Sequence, residues 1–328
     1  MKKYLLFILS VALIGIIVLQ GCSQNTLQDN TNTSVVENKP RLTFVSPMIG
    51  NPYWNMVDNG VKSAAKELGV DLKTTGPIVA NVDEQIKEIQ AAIYAKVEGI
   101  ITMALDSKEF EPIINQAVEA GIPVILIDTD SPDSKRTAYI GTANMDAGMK
   151  AGELLINEIN GVGKIAIITG PSGQKNISDR IEGFTNTVQK NPGIDIIAVE
   201  NGNSNLLQIT EKTNLILSKH PDITAIFCAE GYGAIGVGRV IKENKLIGKI
   251  TVIGFDDVDE TLRYVREGIV QITIVQNTYQ MGYISVQVLN DIINGKKIEN
   301  TMIYTDVTIV TKENVDTYKN TQKVNIYN

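Results

Sequence analysis

Histidine and tryptophan each occur once in this 328-residue chain, and cysteine occurs twice. The lone imidazole, His220, lies in Lys219-His220-Pro221-Asp222, which reads as a helix-to-strand turn. With no second histidine and no cysteine pair, a zinc site lacks a ligand set, so neither a metal nor a cofactor is expected. No G-x-S-x-G elbow precedes a helix, which removes the commonest hydrolase nucleophile. Positive charge is also in deficit: 30 Lys and Arg face 37 Asp and Glu, for a net charge of −7. An acidic exterior repels phosphate backbones and excludes nucleic acid as a partner. Aromatic residues make up only 5% of the chain, so Tyr53-Trp54, which holds the sole tryptophan, stands out. No short-period repeat is visible. Cys228 lies in the apolar run Ala225-Ile226-Phe227-Cys228-Ala229 and is expected to pack as a small buried hydrophobe.

What is present begins at the N-terminus. Lys2 and Lys3 precede an apolar run over residues 5–19, shorter than the ~20 residues a helix needs to span a bilayer. That is the pattern of an export signal. Leu19-Gln20-Gly21-Cys22 then resembles the lipobox of bacterial lipoproteins. The resemblance implies a signal peptide over residues 1–21, lipidation of Cys22, and a mature chain held on the outer side of the cytoplasmic membrane by its acyl chains. Residues 22–40 are mostly Ser, Gln, Asn, Thr and Asp. They cannot bury enough apolar surface to offset ordering, and read as a tether.

From Arg41 onward, apolar runs alternate with helical patterns. Strands are expected at 42–45, 99–103, 124–127, 165–168, 194–199, 225–229, 252–255, 270–275 and 304–310. Helices are expected at 55–68, 82–95, 111–120, 177–189, 206–219, 234–244, 259–267 and 278–294. Gly69 and Gly121 follow helix ends as C-caps do. Strand runs without polar alternation indicate strands covered on both faces. The βα grammar restarts after Asn144, so the fold class is α/β, with two doubly wound, Rossmann-like lobes.

In open α/β sheets ligands bind at the carboxyl ends of strands. Here those ends carry Asn51, Tyr53 and Trp54 after the first strand, then Asp128, Glu230, Asp256 and Gln276, with Arg180 beyond the fourth. Amides, carboxylates, a guanidinium and flat aromatic surface together suit a polyol: hydroxyls need many hydrogen-bond partners, and sugar faces need aromatic walls. Each residue also has a plainer reading, as a core aromatic, a helix cap or a surface ion pair; the argument is their joint occurrence. A rival is Gly231-Tyr232-Gly233-Ala234-Ile235-Gly236, a G-x-G-x-x-G after a strand with Asp256 downstream, as in dinucleotide sites. Export and the lack of a hydride-transfer acid or base argue against that enzyme. The glycines are expected instead to permit close backbone approach and to expose helix N-terminal N–H groups to a ligand.

From Arg41 to about Tyr318 the chain resembles the type 1 periplasmic sugar-binding proteins, similar to the ribose-binding group. The resemblance rests on Asn51-Pro52-Tyr53-Trp54, residues 121–128, Tyr139-Ile140-Gly141-Thr142, Asp179-Arg180-Ile181-Glu182-Gly183-Phe184, Val252-Ile253-Gly254-Phe255-Asp256 and Val275-Gln276-Asn277. It implies a monomeric, non-enzymatic receptor that captures a monosaccharide or related polyol and passes it to the permease of an ABC importer. A sensor reporting the same ligand to a membrane kinase or chemoreceptor is the alternative. By resemblance, Asn51 and Arg180 hydrogen-bond sugar oxygens, Tyr53 and Trp54 wall the ring, and Asp128, Asp256 and Gln276 complete the hydroxyl contacts. The implied multi-strand hinge crosses at Thr142-Ala143, Gln276-Asn277 and Thr305-Asp306. The lobes are then 41–142 plus 277–305, and 143–276 plus 306–328. Two positions depart from the family: Glu230 replaces a usual amide, which would favour a polyol or an aminated sugar, and no aromatic stands near residues 203–206.

Overall fold

The computed structural model describes residues 39–318. The leader, Cys22 and the tether up to residue 38 lie outside the described residues, as do residues 319–328. Among the described residues, no helix is long and apolar enough to cross a membrane.

The first sheet contains β1 (Arg41–Val45), β2 (Asp71–Thr75), β3 (Gly99–Thr102), β4 (Val124–Ile127), β5 (Ala138–Thr142) and β11 (Met302–Thr305). Its order is β11-β5-β4-β3-β1-β2, with parallel pairing throughout. The second contains β6 (Gly163–Thr169), β7 (Ile194–Asn201), β8 (Ala225–Cys228), β9 (Thr251–Phe255), β10 (Ile272–Gln276) and β12 (Val307–Thr311). Its order is β12-β10-β9-β8-β6-β7, parallel except for the antiparallel β10–β12 pair. The expected two doubly wound lobes are therefore present.

Side chains alternate across a strand, and here both faces are apolar. In β4, Ile125 and Ile127 enter one core while Val124 and Leu126 enter the other. The first core is closed by α1 (Pro52–Leu68) and α9 (Thr278–Ile293), the second by α2 (Val82–Tyr94) and α3 (Glu111–Glu119). In the second lobe, α4 (Asn144–Glu158) and α5 (Lys175–Val188) cover one face. The other is covered by α6 (Leu206–Lys219), α7 (Gly231–Glu243) and α8 (Asp259–Arg266). Cys228 is a free, fully buried thiol in this last core, as expected.

Each lobe contains one helix pair in backbone contact. A Cβ on Gly60 of α1 would overlap the Tyr279 carbonyl of α9, and one on Gly282 would overlap that of Val57. In the second lobe Gly148 and Gly183 stand the same way against the carbonyls of Arg180 and Met145. Absence of a side chain is what permits these crossings.

Several boundaries differ from the sequence reading. Helix α1 begins at Pro52 rather than 55, because Asn51 caps it and Pro52 starts it. Helix α7 begins at Gly231, so the glycine motif is helix rather than loop. Within the motif Gly231, Gly233 and Gly236 face Asp256, Cys228 and Ile209, and the following Gly238 faces Tyr264, letting α7 lie close to its neighbours. The expected strand 304–310 is two strands, β11 and β12, in different sheets with a break at Asp306. Strands β2 and β5 were not expected from their runs. β2 is a half-exposed edge strand of sequence DLKTT, without an apolar signature.

The chain passes from the first sheet to the second after β5, returns after β10, and passes again between β11 and β12.

Candidate functional site

On the first lobe the site is built from the start of α1 and the end of β4. Asn51 Oδ1 accepts the N–H groups of Tyr53 and Trp54, at 2.9 and 3.4 Å, which fixes the first turn. That turn presents the Tyr53 hydroxyl to Asp128, donating to Oδ1 at 2.6 Å. Trp54 meets Tyr53 edge-on at 5.2 Å and lines a separate hollow of about 230 Å³ with Met48, Asp58 and Thr74. Asp128 has a left-handed backbone, φ 59°, a conformation costly for most side-chain-bearing residues and best tolerated by Asp and Asn. Its N–H donates to Ile140 O at 3.1 Å and its carbonyl accepts the Tyr139 hydroxyl at 2.7 Å. Oδ2 accepts Thr129 Oγ1 at 3.1 Å and, from the other lobe, Asn176 Nδ2 of α5 at 3.2 Å.

On the second lobe the organising residue is Arg180, 1% exposed. A column of rings underlies it: Phe184 stacks on Phe227 at 4.1 Å, Phe227 meets Phe255 edge-on, and Phe255 lies 4.3 Å beneath the guanidinium. The guanidinium donates through Nε to Asn144 Oδ1 (2.8 Å), Nη1 to Ala229 O (3.1 Å) and Nη2 to Gln276 Oε1 (2.6 Å). Gln276 also accepts Thr142 Oγ1 at 2.8 Å, linking two of the sheet-to-sheet crossings, and donates Nε2 to Asp256 Oδ1 at 3.0 Å. Asp256, after β9, again has a left-handed backbone, φ 66°. Glu230 caps α7: its Oε2 accepts the Tyr232 N–H at 3.0 Å and the Ser204 hydroxyl at 3.2 Å. Its Oε1 is buried and has no partner among the described residues. The lobes also meet where Asn51 Nδ2 donates to the Tyr232 hydroxyl at 3.3 Å.

Burial dominates the electrostatics. It raises Asp128 above the usual carboxylate range, with Arg180 opposing. It pushes Asp256 up to about 6, again against Arg180. It pushes Glu230 up to about 7, with the charge of Asp256 adding to the effect. The Tyr53 phenol is raised by burial and by Asp128. The cluster thus offers many acceptor oxygens and few uncommitted donors, which suits a ligand that donates.

Of the residues singled out from sequence, Tyr53 and Asp128 meet, and Arg180, Gln276 and Asp256 form one hydrogen-bonded chain. Asn51 faces Tyr232, and Trp54 approaches the cluster through Tyr53. Glu230 neighbours Asp256, since a Cβ on the intervening Gly231 would stand 2.9 Å from Asp256 Oδ2. Sequence reading missed Asn144, Asn176, Ser204 and Tyr232. Asn176 had a signal, four residues before Arg180 and so on the same helix face; Tyr232 had only its place beside Glu230. The expectation that the glycine motif exposes N–H groups to a ligand is corrected, because the Glu230 carboxylate occupies the Tyr232 N–H. A carboxylate there also repels the pyrophosphate a dinucleotide site would hold. Among the described residues no group of His, Cys, Asp and Glu could hold a metal ion.

Comparison with known proteins places this geometry in context. Residues 42–297 match the periplasmic binding protein domain model. The D-ribose/D-allose-binding protein of Pseudomonas aeruginosa is 23% identical over 311 residues, 91% of this chain and 97% of that protein. The crystal structure of GanP, a glucose-galactose binding protein from Geobacillus stearothermophilus, is 39% identical. It aligns with a TM-score of 0.82 over 84% of this chain and 99% of that one. A sugar-binding protein of a sugar ABC transporter from Bacillus halodurans is 34% identical, with a TM-score of 0.79 over 86% and 100%. These relatives are binding proteins, not enzymes. With two doubly wound lobes and polar residues of both gathered at their strand ends, the chain belongs to the periplasmic binding protein family, as a type 1 member among sugar-binding relatives.

Proposed function

We propose that this protein captures a monosaccharide or related polyol between its lobes and delivers it to an ABC importer from the outer face of the cytoplasmic membrane. The observation that carries the reading is the polar set shared by both lobes: Asp128 with Asn176, Asn51 with Tyr232, and the buried chain Arg180–Gln276–Asp256. Asn51, Tyr53, Asp128, Arg180, Glu230, Asp256 and Gln276 are the proposed contacts, with Trp54 backing Tyr53. Rotation between the lobes is proposed at Thr142-Ala143, Gln276-Asn277 and Thr305-Asp306, where the chain changes sheets. A ligand that bonds both faces stabilises the closed arrangement alone. The ligands named for relatives, ribose and allose for one and glucose and galactose for another, define the first panel to test.

The test is calorimetry against pentoses, hexoses, inositols and amino sugars. At least one is expected to bind at micromolar Kd or tighter, about −8 kcal/mol. At one hundred times Kd it should add about 2.7 kcal/mol of stability, and small-angle scattering should show contraction. Absence of saturable binding across the panel would overturn the reading. Anchoring through Cys22 is a separate proposal from the lipobox. Cys22→Ala is expected to leave the membrane fraction while still binding ligand; equal membrane retention would refute it.

A further inference from the structure

Arg180 is the cation of the cluster, yet its hydrogen bonds run to neutral oxygens, those of Asn144, Ala229 and Gln276. Asp128, Glu230 and Asp256, each less than a tenth exposed, have no ion-pair partner within salt-bridge distance among the described residues. Asp128 is met by neutral donors from Tyr53, Thr129 and Asn176, and Asp256 by Gln276.

Glu230 is the least satisfied, because Oε2 takes both of its donors and Oε1 has none. The surroundings are closed in by backbone: a Cβ on Gly170 would stand 3.0 Å from Glu230 Cγ. Ser204 before α6, Tyr232 on α7, Asp256 after β9 and Cys228 on β8 surround it; the one cation that acts on it, Arg180, does so from a distance and spends its hydrogen bonds on Asn144, Ala229 and Gln276. Burial, with the charge of Asp256 adding and the more distant Arg180 only partly opposing, pushes this carboxylate up to about 7, and no cation is bonded to it. A ligand hydroxyl would supply one donor and no charge. An ammonium would supply three donors and the missing charge.

We propose that Glu230, with Asp256, forms an ammonium-accepting subsite that makes the cleft prefer an amino sugar to its parent sugar. The inference rests on the monosaccharide reading above and narrows it to an aminated ligand class.

The test is calorimetry at neutral pH on matched pairs, glucosamine with glucose and galactosamine with galactose. Wild type is compared with the near-isosteric Glu230→Gln, whose melting temperature shows that it is folded. For at least one pair, the amino sugar is expected to bind wild type at least about tenfold tighter. In Glu230→Gln that preference should fall below about threefold. Parent sugars that bind wild type as tightly as their amino forms overturn the inference and leave the monosaccharide reading standing. A preference that survives Glu230→Gln also overturns it. If no sugar of either kind binds, the monosaccharide reading falls and takes this inference with it.

Discussion

Asp128 and Asp256 are the same device built twice. Each follows a strand in the left-handed region, sends its N–H to the next strand, and receives a side-chain hydroxyl on its carbonyl, from Tyr139 in one lobe and Thr273 in the other. Their carboxylates differ. Asp128 is wrapped by neutral donors drawn from both lobes. Asp256 leans on Gln276 and shares its surroundings with Glu230, while Arg180 opposes the effect of burial on both aspartates. Identical backbone geometry thus supports a neutral-donor wall on one side and an acid-rich wall on the other. The backbone fixes where a ligand can be held; the surrounding side chains decide which one.

The comparison breaks most completely at Arg180. Arg180→Ala removes the donor that orders Asn144, Ala229 and Gln276, and is expected to cost ~2–4 kcal/mol of binding, read by calorimetry. Wild-type affinity would show that the second lobe's wall does not need it.

Protonation separates the two walls next. In the folded protein Glu230 holds its proton up to about 7, against 4.5 for the free group. The folded state therefore binds more protons than the unfolded one between those values, and stability falls as pH rises through that window. Asp256, raised from 3.8 to about 6, adds loss in the same direction over its own window. Denaturation of wild type across this range should show a decline, of which Glu230→Gln removes on the order of 3 kcal/mol, at about 1.36 kcal/mol per pKa unit. Parallel curves for the two proteins would place the titrating group elsewhere.

Asp256→Ala is expected to weaken ligand binding by one to two orders of magnitude, roughly 1.4–2.8 kcal/mol. Asp128→Asn should weaken it less, because Asn keeps an acceptor for the Tyr53 hydroxyl. Equal effects in titration would erase the proposed asymmetry. The smallest effect sharpens the shared part. At either position Gly should be more stable than Ala by about 1 kcal/mol, since only Gly adopts a left-handed backbone without strain. Thermal melts of both pairs check this.

Much of this was legible in the sequence because local signals agreed with the fold. Runs such as Val124–Ile127 and Ala225–Cys228 read as doubly covered strands, and polar residues just beyond them, Asp128 and Glu230, marked the edge now proposed to meet a ligand. β2 escaped because an edge strand of Asp, Lys and Thr carries no apolar run. The break at Asp306 was implied only by the family resemblance, as a crossing at Thr305-Asp306; the run itself reads as one strand because no Pro or Gly punctuates residues 304–310. The contacts of Tyr232 and Asn176 escaped for a different reason, although the spacing of Asn176 from Arg180 marked its helix face. Their partners, Asn51 and Asp128, stand in the other lobe, and no periodicity within one segment encodes a contact between two sheets.

Three passages between sheets, rather than one, have a mechanical consequence. Two rigid bodies joined at a single point can swivel about any axis. Joined by three cords, with Thr142 bonded to Gln276 across two of them, lobes that rotate as proposed above are restrained in torsion and sliding and are left with rocking as the soft motion. On that proposal one angle describes the state of the molecule, and a permease that grips both rims reads the angle without touching the ligand.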